Sequence, residues 1–453
     1  EIANALIRRV SRYQLPISVF AHHSSVEKDI RLEAEAFAKK PSGRFSICCT
    51  STLELGIDIG AVDAVTQVEA PHSSSSLAQR LGRSGRGEHR DPVTGKLVRD
   101  PSVLHFFATN DWSLLQGLAA IEMVSNNDLD PVAMPLKPYD ILAHQILASI
   151  LEYSELNLDQ ILDFTARNPL WENINLEEIQ LLLAYLLEED YLEEIEGEKP
   201  TYILGLKAEP VTNRFDFYAM FSSDEEYEVL YGKERIGAIP LSPEIMVGAR
   251  ILLSAQVWHI LEIEDASKKI RVDLAKAGKA PEFGGHGGEV TGILRKKMLD
   301  LIQFPPRLIE GNAEMEELFL RLQDQYIGDS LIQWNDSGKG ESSMTLFCGT
   351  AGERTLYLAL CSKMGTGAPQ IYWNSYYATI RGEELREAMS RLKRELQEEG
   401  RFDMEQIDYF LLEQSSIRKR MLSQVKYAYL LPPILQARYI RYNLCDEGIM
   451  SYL

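Results

Sequence analysis

Residues 79–87 read "QRLGRSGRG", which sets Arg80, Arg83 and Arg86 among Gly82, Gly85 and Gly87. On a helix, positions i, i+4 and i+7 share one face, so Gln79, Arg83 and Arg86 are expected to point the same way. The glycines let a backbone or a ligand come close, and they also weaken the helix. Forked, permanently charged side chains on such a surface suit phosphate oxygens. A core explains them poorly, because arginine is almost never buried without a partner. The structural alternative is a solvated turn of helix with a flexible end.

The flanking sequence decides between these two readings. From residue 1 to 125, helical and strand patterns alternate. "NALIRRVSRY" (4–13) is helical and "PISVFAHH" (16–23) is a short apolar strand. "SSVEKDIRLEAEAFAKK" (24–40) is an amphipathic helix with Ser24 and Glu27 at capping-box spacing. "RFSICCTS" (44–51) reads as a buried strand, with "AVDAVTQVEA" (61–70) and "SVLHFFAT" (102–109) as two more. Strands alternating with helices predict a parallel sheet covered on both faces. Ligands of such sheets sit at the carboxyl ends of the strands. "CTSTLELGIDIG" (49–60) directly follows one strand, and "QRLGRSGRG" follows the next strand and a serine-rich turn. Both therefore fall on the functional edge.

The chain has 453 residues, enough for about three domains. Its 45% hydrophobic and 25% charged content is that of a globular protein. No apolar run approaches the roughly 20 residues of a membrane span, and "EIANALIRRV" does not read as a signal peptide. It reads as a helix joined partway, with no initiator methionine, so a preceding segment is expected in the natural gene. Five cysteines (48, 49, 348, 361 and 445) without CxxC spacing suit a reducing cytoplasm and argue against a cysteine-ligated metal. Cys48 and Cys49, on a predicted buried strand, read as packing.

A net charge of −20 on its own argues against a nucleic-acid partner, but the charge is unevenly spread. Residues 151–235 carry 21 acids and six bases, whereas residues 415–442 carry six bases, four tyrosines and no acid. A local basic stripe sets a binding footprint. Arg418, Lys419, Arg420, Lys426, Arg438 and Arg441 are thus a candidate phosphate track, with a solvated helix face as the structural alternative.

"NNDLDPVAMPLKP" (126–138), with three prolines, reads as a linker. Helical stretches near 139–153, 158–167 and 176–189 precede a hairpin, "YLEEIEGEKPTYILG" (191–205), and together predict a winged helix over 139–211. Its third helix is acidic and carries only Gln180 suited to base edges, so the module reads as a strut. Residues 212–290 read as an all-β, barrel-like module with a turn at "DASKK" (265–269) and a glycine-rich exit, "KAGKAPEFGGHGGEV" (276–290). Residues 291–453 read as a terminal α+β domain. The fold class expected is therefore multidomain α/β, led by a parallel α/β domain over 1–125.

"TSTLELGID" (50–58) and "QRLGRSGR" (79–86) resemble motifs V and VI of superfamily-2 helicases, TxxxxxGxD and QxxGRxGR, in order, spacing and context. These mark the second RecA-like domain of such motors. "FAHHSSVEKDIRLEAEAF", "CTSTLELGIDIGAVDAV" and "APEFGGHGGEV" further resemble the large helicase-related (Lhr) family, closely over 17–87 and loosely beyond 300. Many family members read GRAGH in motif VI, whereas this chain keeps Arg86.

The resemblance implies roles for individual residues. Thr50, Ser51 and the segment His23, Ser24 and Ser25 would meet nucleic-acid phosphate. Gly56 and Asp58 would lie by the nucleotide sugar. Gln79, Arg83 and Arg86 would face ATP, with Arg86 as arginine finger, because a preorganised arginine stabilises the charge that spreads over the γ-phosphate. The implied activity is ATP-driven 3′-to-5′ translocation on single-stranded DNA, with displacement of DNA or RNA strands, RNA–DNA hybrids included, and a link to DNA repair. No phosphate loop GxxxxGK[ST] occurs: "NDSGKGESS" (335–343) has Gln333 where the first glycine belongs, and "SSDEEY" (222–227) is a poor Walker B match. ATP with its Mg2+ is accordingly expected on a first RecA-like domain preceding Glu1, and the chain alone is expected to be inactive.

Adjacent His22 and His23 face opposite sides of a strand and cannot share a metal, so no metal site is expected. Trp258 reads as core, and Trp373 as either a sheet aromatic or a base-stacking platform. A non-catalytic nucleic-acid-binding or scaffold protein with a relic RecA-like domain is the competing expectation; retention of both Arg83 and Arg86 argues against it.

Overall fold

The computed structural model describes residues 2–453 other than 23–25, 27, 41–42, 55–58, 61, 91–95, 133, 221–225, 241–249, 254–255, 265–266, 275–287, 337–341, 365–369, 374–377 and 383. The chain forms two compact units, Glu1–Pro131 with Gly288–Gln325, and Val132–Gly287 with Tyr326–Leu453.

The first unit begins with α1 (Ile2–Tyr13), β1 (Ser18–His22), α2 (Lys28–Ala38) and β2 (Phe45–Cys49). Strands β1 and β2 pair in parallel, from Ser18 opposite Phe45 to His22 opposite Cys49. A second parallel pair joins β3 (Val65–Val68) to β6 (Leu104–Phe107). The parallel connectivity is as expected, but the described strands form two separate pairs. Strand β2 is half-buried, and its Cys49 is exposed. Desolvation by burial leaves both thiols with raised pKa values.

Helix α3 (Ser74–Leu81) starts at Ser73, whose hydroxyl accepts from the Ser76 N–H, a standard means of satisfying a free helix donor. A short antiparallel hairpin, β4 (Glu88–Arg90) and β5 (Leu97–Arg99), separates α3 from β6. Helix α4 (Asp111–Ser125) is capped by Asn110 and buries Leu115, Leu118, Ala119 and Met123. Gly117 is required there: a Cβ would lie 2.0 Å from the Phe106 ring.

Helices α5 (Gly292–Gln303) and α6 (Ala313–Gln325), expected at the head of the terminal domain, belong to the first unit. Polar ties explain the difference. Asp130 accepts from the N–H and hydroxyl of Ser74, both at 2.5 Å, and from the hydroxyl of Thr291, the α5 cap. Lys297 pairs with Glu122 at 2.6 Å, and buried Arg295 donates to Gln116. The partners of Thr291, Arg295 and Lys297 lie about 160 to 180 residues away in sequence, so spacing alone does not disclose them.

In the second unit, helices Tyr139–Tyr153, Leu158–Ala166 and Leu176–Glu188 form at the expected places. Capping boxes Asn157/Gln160 and Asn175/Glu178 set the start of the latter two. Strands Leu192–Ile195 and Thr201–Leu204 form the expected hairpin, with Leu156–Asn157 on the other side of the second strand. Leu142, Ile146, Ile161, Leu182 and Leu186 make the core, which Tyr427, Leu430 and Leu435 from the far end of the chain complete.

Residues 226–274 contribute a five-stranded sheet whose pairs are antiparallel except for Glu226–Tyr231 beside Lys269–Leu274. Trp258 is buried in its core, with the indole donating to the Leu253 carbonyl at 3.0 Å. Most of the glycine-rich stretch 276–290 lies outside the described residues. Strands Ile332–Asp336, Ser342–Leu346, Ala378–Gly382 and Gln370–Trp373 form a four-stranded sheet in that spatial order, with helices such as Gly349–Met364 and Leu385–Glu399 in the same segment.

Candidate nucleotide and nucleic-acid site

The arginine stretch sits on a stopped helix and a clamped loop. Helix α3 ends at Leu81 with Gly82 as its cap, and Gly85 adopts φ +68°, open to glycine at little cost. A Cβ on Gly85 would lie 2.6 Å from Ser102 Oγ, and one on Gly87 would lie 2.1 Å from Asp100 Oδ2. The segment that follows the hairpin thus presses against this loop. The Asp100 N–H donates to the Gly87 carbonyl at 2.8 Å, and the Val103 N–H donates to Ser84 Oγ at 3.2 Å. Because the helix stops before Arg83, the shared helical face expected for Gln79, Arg83 and Arg86 does not form. Their arrangement comes from the loop.

Gln79 and Arg86 are exposed, and Arg86 Nε donates to the Gly82 carbonyl at 2.9 Å, which fixes the base of the guanidinium. Arg83 is half-buried and donates from Nη2 to the Glu54 carbonyl. Thr50 is exposed at the end of β2, and Ser51 opens the short 3-10 turn Ser51–Leu53. His23, Ser24, Ser25, Gly56 and Asp58 lie outside the described residues.

Spacing did not single out Glu54 and Arg80, although both lie within the two quoted stretches. Arg80 Nε and Nη2 donate to Glu54 Oε2 at 3.1 and 3.0 Å, and Ser76 donates to Oε1 at 2.6 Å. Arg80 Nη1 also donates to Gln67 Oε1 at 2.8 Å, reaching the end of β3. Nearby, burial and then the charges of Arg80 and Arg295 push the His72 pKa down, which favours a neutral ring. Among the described residues no group of three or more His, Cys, Asp and Glu side chains could hold a metal ion.

Residues 3–88 match the model of the helicase conserved C-terminal domain. An "ATP-dependent helicase Lhr-Core protein 2" of Thermococcus barophilus is 32% identical over 169 residues, 37% of this chain and 18% of that protein. The "Lhr helicase/uracil glycosylase" of Escherichia coli K12 is 26% identical over 323 residues, 65% of this chain and 20% of that protein. The fold matches the Mycobacterium smegmatis helicase Lhr, solved bound to ssDNA and AMP-PNP, with TM-score 0.65 and 17% identity over 99% of this chain and 61% of that one. Residues 3–88 thus carry a helicase conserved C-terminal domain, and the chain resembles the Lhr helicases. It spans about a fifth of the length of the curated Lhr relatives it matches.

The basic tail does not form the expected phosphate track. Arg418 is buried and donates to the Leu411 and Leu412 carbonyls and to Gln436, so its guanidinium is spent inside the fold, where burial lowers its pKa. Lys426 holds the Asp216 and Ala219 carbonyls, Arg441 pairs with Asp408 at 2.8 Å, and Arg438 lies 3.5 Å from Glu178. Of the residues expected in a phosphate track, Lys419 remains exposed and Arg420 half-buried. The stripe reads as basic in sequence because its acceptors are carbonyls, an amide, and carboxylates outside residues 415–442. No helix among the described residues is long and apolar enough to cross a membrane.

Proposed function

We propose that this chain is the part of an ATP-dependent Lhr helicase that carries the arginine finger and part of the strand-binding surface. The observation that carries the reading is the exposed Arg86 on a glycine-clamped loop whose Arg83 donates to the Glu54 carbonyl of motif V. Arg86 is the finger that places charge against the γ-phosphate of ATP bound opposite, and Gln79 and Arg83 also face the nucleotide. ATP supplies the energy for closing and release. Mg2+ belongs with carboxylates outside this set, because the arginine loop offers it none.

Thr50, Ser51 and the 23–25 segment hold backbone phosphates of one strand, and exposed Lys419 and half-buried Arg420 add charge in the second unit. Residues 139–211 act as a winged-helix strut, residues 212–290 as a barrel-like module, and the remainder as a terminal domain. The strand is single-stranded DNA in preference to RNA, travel is 3′-to-5′, DNA or RNA is displaced, and the setting is DNA repair.

Strand displacement by the natural full-length protein tests this. A duplex with a 3′ single-stranded tail is expected to be opened in the presence of ATP, and one with a 5′ tail is not. Opening of the 5′-tailed duplex alone would reverse the proposed direction. ATP turnover that ignores both DNAs would remove the motor reading.

A further inference from the structure

Both the main chain and the side chain of Glu54 hold arginines of the 79–87 stretch. The carboxylate takes Arg80 through Nε and Nη2 at 3.1 and 3.0 Å, and the carbonyl takes Arg83 through Nη2. Ser76 fills the second carboxylate oxygen at 2.6 Å, so three positions along α3 and its exit, 76, 80 and 83, converge on this residue. The pair is largely withdrawn from water, with side-chain exposures of 27% for Arg80 and 13% for Glu54. An ion pair in such a setting is screened less than one on the surface.

The same turn is gripped from its other side. Thr52 donates to the His22 carbonyl at 2.8 Å, so its oxygen is left to accept from His22 Nδ1 at 2.9 Å. His22 Nε2 lies 3.0 Å from Glu35 of α2, and the ring is buried. His22 is the last residue of β1 and immediately precedes the 23–25 segment. Thr52 and Glu54, two positions apart, therefore join the end of β1 to the arginine loop through a single short turn. Neither side chain needs to touch a ligand to do so.

We propose that Glu54 is a positioning residue that couples strand engagement at the 50–54 turn to the reach of Arg86, with Arg80 as its fixed partner and His22–Thr52 as the anchor on the strand side. This rests on the helicase reading above. A strand seated at Thr50 displaces or stiffens the turn. Through the Glu54 carboxylate and carbonyl, that change passes to Arg80 and Arg83, and so to the loop carrying Arg86. Coupling between two sites of this kind typically amounts to about 5- to 150-fold.

The test uses the natural full-length protein, with ATP turnover measured with and without saturating single-stranded DNA and with thermal midpoints checked for each variant. Glu54→Gln and Arg80→Gln are each expected to lower the DNA-stimulation ratio by about tenfold. The double variant should lose no more than either single, because both remove one interaction. Single-strand affinity without nucleotide should change by less than about threefold, a split that a general loss of fold does not produce. Arg80→Lys, which keeps the charge and loses the fork, provides a milder arm should either glutamine variant misfold. An unchanged stimulation ratio in folded Glu54→Gln, or losses that add in the double variant, overturns the coupling. An unmodified protein whose turnover ignores DNA overturns the helicase reading instead.

Discussion

Arg86→Ala in the natural full-length protein is expected to lower ATP turnover by about 10³–10⁵-fold, the usual contribution of an arginine finger. The structure makes the substitution a clean one. Arg86 is exposed and donates a hydrogen bond from Nε to the Gly82 carbonyl. The loop beneath it is held by Gly85, Gly87 and the returning segment 100–103, which do not depend on the side chain. Stability should therefore move by less than about 0.5 kcal/mol, as for most surface substitutions. Single-strand affinity should be nearly unchanged as well. A collapse of affinity with turnover intact would show that Arg86 serves the strand and not the nucleotide.

Glu178→Ala is expected to destabilise the second unit by about 3–5 kcal/mol, the range for breaking a buried ion pair from one side. The carboxylate is buried and accepts from Lys137 Nζ at 2.8 and 2.9 Å, from the Tyr139 hydroxyl at 2.6 Å and from the Asn175 N–H at 3.1 Å. Removing it leaves the Lys137 ammonium and the Tyr139 hydroxyl inside the fold without that acceptor, and dissolves the capping box of the third helix. Urea unfolding, with hydrogen exchange on residues 139–188, reads the loss. Burial pushes the Glu178 carboxyl up, but the bonds from Lys137, Tyr139 and Asn175 outweigh it and hold the pKa below the ordinary 4.5. A depressed carboxyl stabilises fully above its unfolded value and loses that stabilisation as pH falls through the folded one. The difference between wild type and variant should accordingly shrink below about pH 4.5. A loss under about 1 kcal/mol at pH 7 would mean that water replaces the carboxylate at no cost.

Local periodicity carried much of the fold. The helices at 139–153, 158–166 and 176–188 announce themselves through apolar spacing and through Asn157/Gln160 and Asn175/Glu178 at their starts. The strands at 256–264 and 269–274 flank the turn read at 265–269. What the pattern concealed depends on distant partners. Helix α5 follows the β module in sequence, yet Thr291 and Arg295 are committed to Asp130 and Gln116. Arg418, Lys426, Arg438 and Arg441 form a basic stripe on paper, while their acceptors come from residues 178, 216, 219, 408, 411, 412 and 436.

The site divides in the same way. Glycines 82, 85 and 87 mark the motif VI loop because close packing against Asp100 and Ser102 leaves no room for a Cβ at 85 and 87. The helical spacing of Gln79, Arg83 and Arg86 misled because Gly82 ends α3 first. Glu54 and Arg80 fill variable positions of the two motifs, 26 residues apart, and only tertiary apposition discloses their pairing.

Titration of this 453-residue chain with fluorescent single-stranded and duplex DNA and RNA, without nucleotide and at two salt concentrations, tests the central claim most directly. The account predicts preferential binding of single-stranded DNA, weakening steeply between about 50 and 200 mM salt as phosphate contacts are screened. Equal binding of duplex and single strand, or no binding at low salt, would contradict a strand-holding surface on this chain.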